Sequence, residues 1–582
     1  MRKTKIICTI GPASENRETL IQMIEAGMNV ARLNFSHGVQ EEHQRRIDTI
    51  REAAGILDVP IAIMLDTKGP EIRTGHLRDK KVRLAAGDKF TLTTREVEGT
   101  EKEVQVSYHN LANEVAEGDH ILLSDGLIDL QVEKTTDTDI ICRVMNGGEL
   151  GEQKGVNVPG VPINLNFLSE KDIADINFGI NNNVDFIAAS FVRNAQDVLD
   201  IRRILEQRQA DIDIIAKIES QEGVNNLEDI IKVADGIMVA RGDLGVEIPG
   251  EEVPLVQKDM VSRCNLAGKV VIIATQMLDS MIVNPRPTRA EVSDVANAIF
   301  DGADAIMLSG ETAAGKYPVD AVATMARIAR RAEDSLPYAN MLRQRRIQGK
   351  LSVTDAIGYA TCATAMSLDA SAIITSTRSG FTARTVSKYR PRADIVAATP
   401  DPRILNKLSL VWGAYPVLIE NVSGTDPLLE ASVKKALETG YIKNGDLVVL
   451  TAGEPSGIAG GTNLLKVHVV GDILVEGMGI GTETIQGRVR VIKHEEDLEN
   501  IEPGEIVVVT GASGSFAPYL ERISAIIAEE GGLTSDAAII GLNAGIPVVV
   551  GAKNASVILQ DGMLVTVHTP RGRVYKGIAK VI

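Results

Sequence analysis

Eight short apolar, β-branched runs recur through the first 340 residues, each followed by a polar or glycine turn and then by a helical pattern. They are IICTI at 6–10, VARLNFS at 30–36, IAIMLD at 61–66, DFIAASF at 185–191, IIAKIES at 214–220, GIMVARGD at 236–243, VVIIATQ at 270–276 and AIMLSGE at 305–311. Near-continuous apolar strands that alternate with helices predict parallel strands buried on both faces, and eight of them predict an α/β fold closed as a (β/α)8 TIM barrel. Between the third and fourth runs the text changes: VRLAAGDKFTLTT, HILLSDGLIDLQVEK and GGELGEQKGVNVPG are short strands with Gly and Asp turns. They predict a small all-β domain inserted into the barrel. After the barrel, LSVTDAIGYATCATAMSLDASAIITSTRSGFTARTVSKYRP opens a further α/β segment, and the last stretch carries EEGGLTSDAAIIGLNAGIPVVVGA before a strand-rich tail. The expected organisation is a barrel over 1–69 and 171–342, an inserted β domain over 70–170, an α/β domain over 343–473 and an extra domain over 474–582.

The polar residues of these runs collect at their C-terminal ends, where barrels of this kind carry their chemistry. In IIAKIES, strand alternation points Lys217 and Glu219 one way and Ile214, Ala216 and Ile218 the other. Arg32, Asn34 and Ser36 close the second run, Asp66 and Thr67 the third, Ser190 the fourth, Arg241 and Asp243 the sixth, Thr275 the seventh, Ser309 and Glu311 the eighth. Any single charge at a strand end can be a solvated rim residue or a structural ion pair. Taken together, Glu219 and Asp243 suit a hard divalent cation such as Mg²⁺, and Lys217 beside them would present positive charge to a phosphoryl or enolate oxygen. The competing reading of the two carboxylates is salt bridging to Lys217 and Arg241.

Composition narrows the class. The chain has 582 residues, 61 Lys and Arg against 78 Asp and Glu, and a formal charge of -17, which argues against general affinity for nucleic acid or anionic membrane. No run approaches a membrane span, and the N-terminal MRKTKIICTIG lacks the apolar region of a secretory signal. The cysteines Cys8, Cys142, Cys264 and Cys362 are far apart, form no CxxC pair and are expected to be packing residues in a cytoplasmic protein.

The segments ARLNFSHG, MLDTKGPEIRTG, GVNVPG, AKIES, VARGDLGVE, ATQMLDSM with NPRPTRAEVSDVANA, and DAIMLSGETAAGKYP resemble the pyruvate kinase family in the family's order, over residues 1 to about 473. The resemblance implies phosphoryl transfer from phosphoenolpyruvate to ADP, followed by protonation of the enolate to pyruvate. By match to its motifs, Glu219 and Asp243 would hold Mg²⁺ (or Mn²⁺), Lys217 would neutralise the phosphoryl group in flight, and Arg32 and Arg73 would contact the transferring phosphate. Thr275 would stand near the substrate carboxylate and the enolate carbon, holding the water that donates the proton, and backbone amides around Ala240, Gly242 and Asp243 would cradle that carboxylate. Asn34, Ser36, Asp66 and Thr67 match a K⁺ site, and Glu71 is the residue that accompanies K⁺ dependence. His37 and Lys154 match positions near the nucleotide, which makes the inserted domain a hinged lid. Outside that motif His37 would be read as a solvent-facing loop residue, and Asp125 in SDGL as a turn residue. The family is also expected to be homotetrameric.

Two regions bear on regulation. In TSTRSGFT, Thr377, Arg378, Ser379, Gly380 and Thr382 precede a helix and match the family's sugar-phosphate effector loop, although on their own they could be a helix cap. The partner loop at 451–463 lacks Arg or Lys for a second phosphate, which favours a sugar monophosphate or nucleotide as the phosphorylated effector over a bisphosphate. EEGGLTSDAAIIGLNAGIPVVVG resembles the mobile phosphohistidine domain of phosphoenolpyruvate-utilising enzymes, with Asp536 where the family has His. A phosphoryl shuttle through the tail is thereby put in doubt, and a dikinase-like enzyme or a non-catalytic scaffold are the alternatives to a kinase. Glu529, Gly532 and Thr534 keep the rest of that loop.

Overall fold

The computed structural model describes residues 1–161, 163–345, 352–453, 461–471 and 473–579. The chain divides into two compact units, Met1–Pro337 with Pro402–Pro416, and Tyr338–Asp401 with Val417–Ile582. In the first, the eight apolar runs form a closed parallel barrel: Lys5–Thr9, Val30–Asn34, Ala62–Asp66, Phe186–Ala189, Asp213–Ile218, Gly236–Ala240, Val270–Ala274 and Ala305–Leu308. Each strand pairs with its sequence neighbours, and the eighth pairs with the first through Lys5 and Ala305.

Strand alternation sorts the apolar residues into two cores. Ile214, Ala216 and Ile218 of the fifth strand lie between sheet and helices, with Leu33, Leu65, Val239 and Ile273. Ile215 faces the barrel axis with Val30, Met64, Ala188, Met238, Ile272 and Met307. Two residues further along those inward rows come Arg32, Asp66, Ser190, Lys217 and Ser309, with Ala240 and Ala274 on the sixth and seventh strands, so the pleat that fills the axis with hydrocarbon also aims polar side chains into the mouth.

The inserted domain is a strand-rich body with its own core, including Phe90, Leu92, Ile121, Leu130 and Val144. Its six-stranded sheet includes Asp139–Asn146, a strand not recognised in the sequence. The floor of the barrel is closed by residues 402–416, from the stretch expected to belong to the α/β domain: Leu410 is fully buried among the axial side chains. Among the described residues no helix is long and apolar enough to cross a membrane.

In the second unit, Ala372–Ser376 pairs in parallel with Asp394–Thr399 and Leu447–Gly453, and Thr462–Val469 runs antiparallel to Leu447–Gly453. The tail forms an eight-stranded mixed sheet with the helix Asp536–Ala544 packed against it. All four cysteines are buried and unpaired, and burial pushes their thiols up, that of Cys142 to about 12.

Candidate active site

At the mouth, the ends of the first five strands contribute one connected polar network. Lys217 Nζ donates to Ser190 Oγ at 2.6 Å and to Asp66 Oδ1 at 3.0 Å, and lies 3.1 Å from Glu219 Oε1. Arg32 Nε donates to Asp66 Oδ2 at 2.7 Å, and its Nη1 to Thr9 Oγ1 at 2.8 Å. Asp66 is therefore the hub, with both oxygens engaged. Ser190 donates to the carbonyl of Thr67 at 2.7 Å, and the amide of Phe191 donates to Glu219 Oε2 at 2.6 Å.

The electrostatics separate these carboxyls. Burial would raise Asp66, but Arg32 and Lys217 outweigh it and hold the group below the ordinary range. Burial dominates at Glu219 despite Lys217, and Asp243 adds to it, so this carboxyl is pushed up to about 7. Desolvation by the cleft walls, with Asp125 and Asp66, also raises Asp243, although it stays open to solvent. Burial lowers Lys217, yet Asp66 and Glu219 reverse the sign and keep it protonated. Ionising Glu219 and Asp243 is thus disfavoured until further positive charge stands beside them. Two oxygen donors in that condition fit a hard divalent ion that keeps its remaining positions for substrate and water.

Thr275 follows the seventh strand with φ of 69°, and Gln276 with φ of 55°. For a β-branched residue this backbone is costly, about 1–3 kcal/mol, and it persists only where surroundings enforce it. Here Arg241 does so, donating to the carbonyl of Thr275 at 2.7 Å while pairing with Asp294 at 2.7 Å. Thr275 Oγ1 donates to the carbonyl of Ala274 at 2.6 Å and accepts the amide of Gly242 at 2.8 Å. The sequence led us to expect free amides around Ala240, Gly242 and Asp243. The structure differs: Gly242 N–H is taken by Thr275.

Asn34 and Asp66 are registered side by side on adjacent strands, and Asn34 Oδ1 accepts the amide of Ser36 at 3.0 Å. This places Asn34, Ser36, Asp66 and Thr67 on neighbouring strand ends, with Asp66 already committed to three side chains. At the base of the inserted domain Arg73 is paired with Glu71 at 2.8 Å and donates to the carbonyl of Gln153 at 3.2 Å. His37 and Lys154 are exposed, and among the described residues neither side chain is hydrogen-bonded to the Lys217 network. A cavity of about 350 Å³ lies between inserted domain and barrel, lined among others by Glu71, Asp125, Asn157, Phe191, Asp243 and Glu247. Thr9, Asp294 and Asn157 carry no charge-pattern signal that would have drawn them from the sequence, and Asp125, read there as a turn, faces this cavity.

In the second unit, Thr377, Arg378, Ser379 and Gly380 form the loop into the helix Phe381–Lys388, with Gly380 at φ of 79°. Thr382 Oγ1 meets Thr462 Oγ1 at 2.8 Å, tying this loop to the base of the 451–463 segment, of which 454–460 lie outside the described residues. Asp536 is exposed in the first turn of its helix, where Ser535 accepts the amide of Ala538, and Glu529 accepts both the amide and the hydroxyl of Ser556.

Comparison with known proteins gives a consistent result along the whole chain. The description "Pyruvate kinase, barrel domain" matches residues 1–322, "Pyruvate kinase, alpha/beta domain" residues 355–468, and "PEP-utilising enzyme, mobile domain" residues 501–572. The chain is 55% identical over 586 residues to a pyruvate kinase of Bacillus licheniformis and 54% over 585 to one of Geobacillus stearothermophilus, covering 100% of both partners in each case. A crystal structure of a pyruvate kinase from Cryptosporidium parvum superposes with a TM-score of 0.77 at 42% identity, over 80% of this chain and 96% of that one.

Proposed function

The chain belongs to the pyruvate kinase family and is a phosphotransferase, and from that premise we propose how its mouth performs the transfer from phosphoenolpyruvate to ADP. The observation that carries the reading is the Lys217 network. A permanently charged ammonium is held between Asp66, Ser190 and Glu219 on the inward rows of the barrel, where a phosphoryl group would be shielded from bulk water. The bond from phosphorus to the enol oxygen breaks as an oxygen of the ADP β-phosphate bonds to phosphorus. Lys217 and Arg32 hold the charge of the equatorial oxygens throughout, and Arg73 adds its guanidinium once it exchanges Glu71 for phosphate. Glu219 and Asp243 would hold Mg²⁺ or Mn²⁺, which supplies Lewis-acid neutralisation of substrate oxygens. The substrate carboxylate takes the Gly242 amide from Thr275, freeing the threonine hydroxyl beside the enolate, where a water it holds gives the proton to carbon.

Asn34, Ser36, Asp66 and Thr67 serve a K⁺ site, with Glu71 at the lid base. His37 and Lys154 meet the nucleotide, and the inserted domain (70–170) acts as a lid that excludes water. Thr377, Arg378, Ser379, Gly380 and Thr382 bind a phosphorylated effector, a reading supported by the left-handed Gly380 and the Thr382–Thr462 tie. A homotetramer is supported by exposed Leu255 and Leu266 on the helix Val253–Ala267 and by exposed Phe300.

The test is pyruvate formation from phosphoenolpyruvate and ADP with Mg²⁺, with and without K⁺, in wild type and in Lys217→Met. Activity that needs both cations, yields ATP and falls about 10³-fold in the variant is expected, by the scale of losing one preorganised charge donor. AMP and pyrophosphate chemistry would point instead to a dikinase, and activity independent of K⁺ would remove the role given to Glu71.

A further inference from the structure

The short helix Arg241–Glu247 joins two parts of the molecule that the proposed mechanism treats separately. Its first turn carries Gly242 and Asp243, the substrate cradle and a cation ligand. Its last residue, Glu247, accepts a hydrogen bond at 2.9 Å from Asn157 Nδ2, on the strand Val156–Asn157 of the inserted domain. A helix of seven residues is about 10 Å long and, closed at its C-terminal end by the Ile248 amide on the Leu244 carbonyl at 3.0 Å and held at its first turn by the Gly242 amide on Thr275, moves as one rod. A second contact lies alongside. The turn Ser124–Gly126 has three successive residues with positive φ, and a Cβ placed on Gly126 would lie 3.6 Å from Val246. Asn157, Glu247 and Asp243 all line the cavity between lid and barrel, so a lid swinging away from the barrel must separate Asn157 from Glu247.

We infer that Asn157 and Glu247 are positioning residues that form a latch, transmitting the position of the lid along the helix Arg241–Glu247 to the substrate cradle at its far end. This rests on the reading of residues 70–170 as a lid. Neither residue touches the reacting atoms; both act by fixing the orientation of Gly242 and Asp243 when the lid is down. Substrate in the cradle and lid closure then favour each other, because each holds the same rod.

A swap of polarity tests the pair. Asn157→Asp sets two carboxylates against each other and is expected to raise KM for phosphoenolpyruvate about 10-fold, the scale of a lost hydrogen bond to a charged group, with kcat changed much less. Glu247→Gln on its own keeps a neutral acceptor for Asn157 and is expected to raise KM less than Asn157→Asp. Asn157→Asp combined with Glu247→Gln restores the bond in reverse, amide donor on the helix and carboxylate on the lid, and is expected to recover most of the loss. Hydrogen exchange of segments 69–75 and 152–161, at the base of the inserted domain, is measured in parallel, with and without phosphoenolpyruvate and Mg²⁺. Substrate-induced protection in wild type and in the swapped pair, but not in Asn157→Asp, supports the latch. A swapped pair no better than Asn157→Asp, or equal protection in all variants, overturns the latch while leaving the lid. Absence of protection in wild type overturns the lid reading and the latch with it. Should Asn157→Asp not fold, Asn157→Ala and Glu247→Ala replace it: non-additive KM effects in the double variant support the pair, and additive ones overturn it.

Discussion

Both ends of the barrel carry carboxyl groups and use them differently. On the floor, Asp185, Asp235 and Asp304 each stand one residue before the fourth, sixth and eighth strands, and each accepts a backbone amide of the preceding strand: Ile63 at 2.7 Å, Ile214 at 2.9 Å and Val271 at 2.9 Å. Lys407 is buried between Asp211 and Asp213 at 2.7 and 2.8 Å. At the mouth, Asp66 is held by Arg32, Lys217 and Ser190, and Glu219 by Lys217 and a single amide. Backbone donors cannot leave their posts, so Asp185, Asp235 and Asp304 are fixed parts of the sheet, and Lys407 is locked by burial. Side-chain cations can exchange one anion for another, and the mouth is built from them. Charge at a strand end is therefore no signal of chemistry by itself; the kind of partner that satisfies it is.

The sharpest way to break this comparison is to remove one lysine at each end. Lys217→Met, assayed with Mg²⁺ present, should lose about 10³-fold in kcat, as argued above. Lys407→Met removes the buried cation that meets Asp213 at 2.8 Å and should cost up to about 3–5 kcal/mol of stability, with kcat unchanged at temperatures where the protein remains folded. Chemical denaturation alongside steady-state kinetics separates the two, and a kcat loss in Lys407→Met would erase the distinction. A smaller effect is expected from Leu410→Ala, which opens a cavity beneath the barrel axis: about 2–5 kcal/mol of stability, again without loss of kcat per folded molecule.

The smallest effect concerns pH. Burial raises the Asp185 carboxyl from 3.8 to about 7, against the pull of the Ile63 amide. The folded state thus keeps a proton that the unfolded chain gives up, and the group's contribution to stability is lost as pH rises through about 7. Asp185→Asn stays neutral and keeps an acceptor oxygen for Ile63. Its stability relative to wild type should therefore rise between pH 5 and pH 8, read from denaturation midpoints; a difference independent of pH would mean that Asp185 is already ionised in the fold.

Much of this molecule is set locally, and that part is open to reading from the chain. Alternation in IIAKIES puts Lys217 and Glu219 on one row whatever the rest of the protein does, and the same parity places Arg32, Asp66 and Ser190. Eight apolar runs at this spacing leave little besides a closed barrel, and the inserted segment announces itself by its turns. What tertiary structure decided are meetings between residues far apart in sequence whose own surroundings say nothing of the partner. Thr9 beneath Arg32, Asp294 against Arg241, Leu410 in the barrel floor and Asn157 on Glu247 belong to this class. So does the capture of the Gly242 amide by Thr275, which residue types at a glycine turn could not foretell. Side-chain direction along a strand follows from backbone geometry two residues at a time, whereas the partner across a closed barrel depends on register, closure and the packing of every strand between.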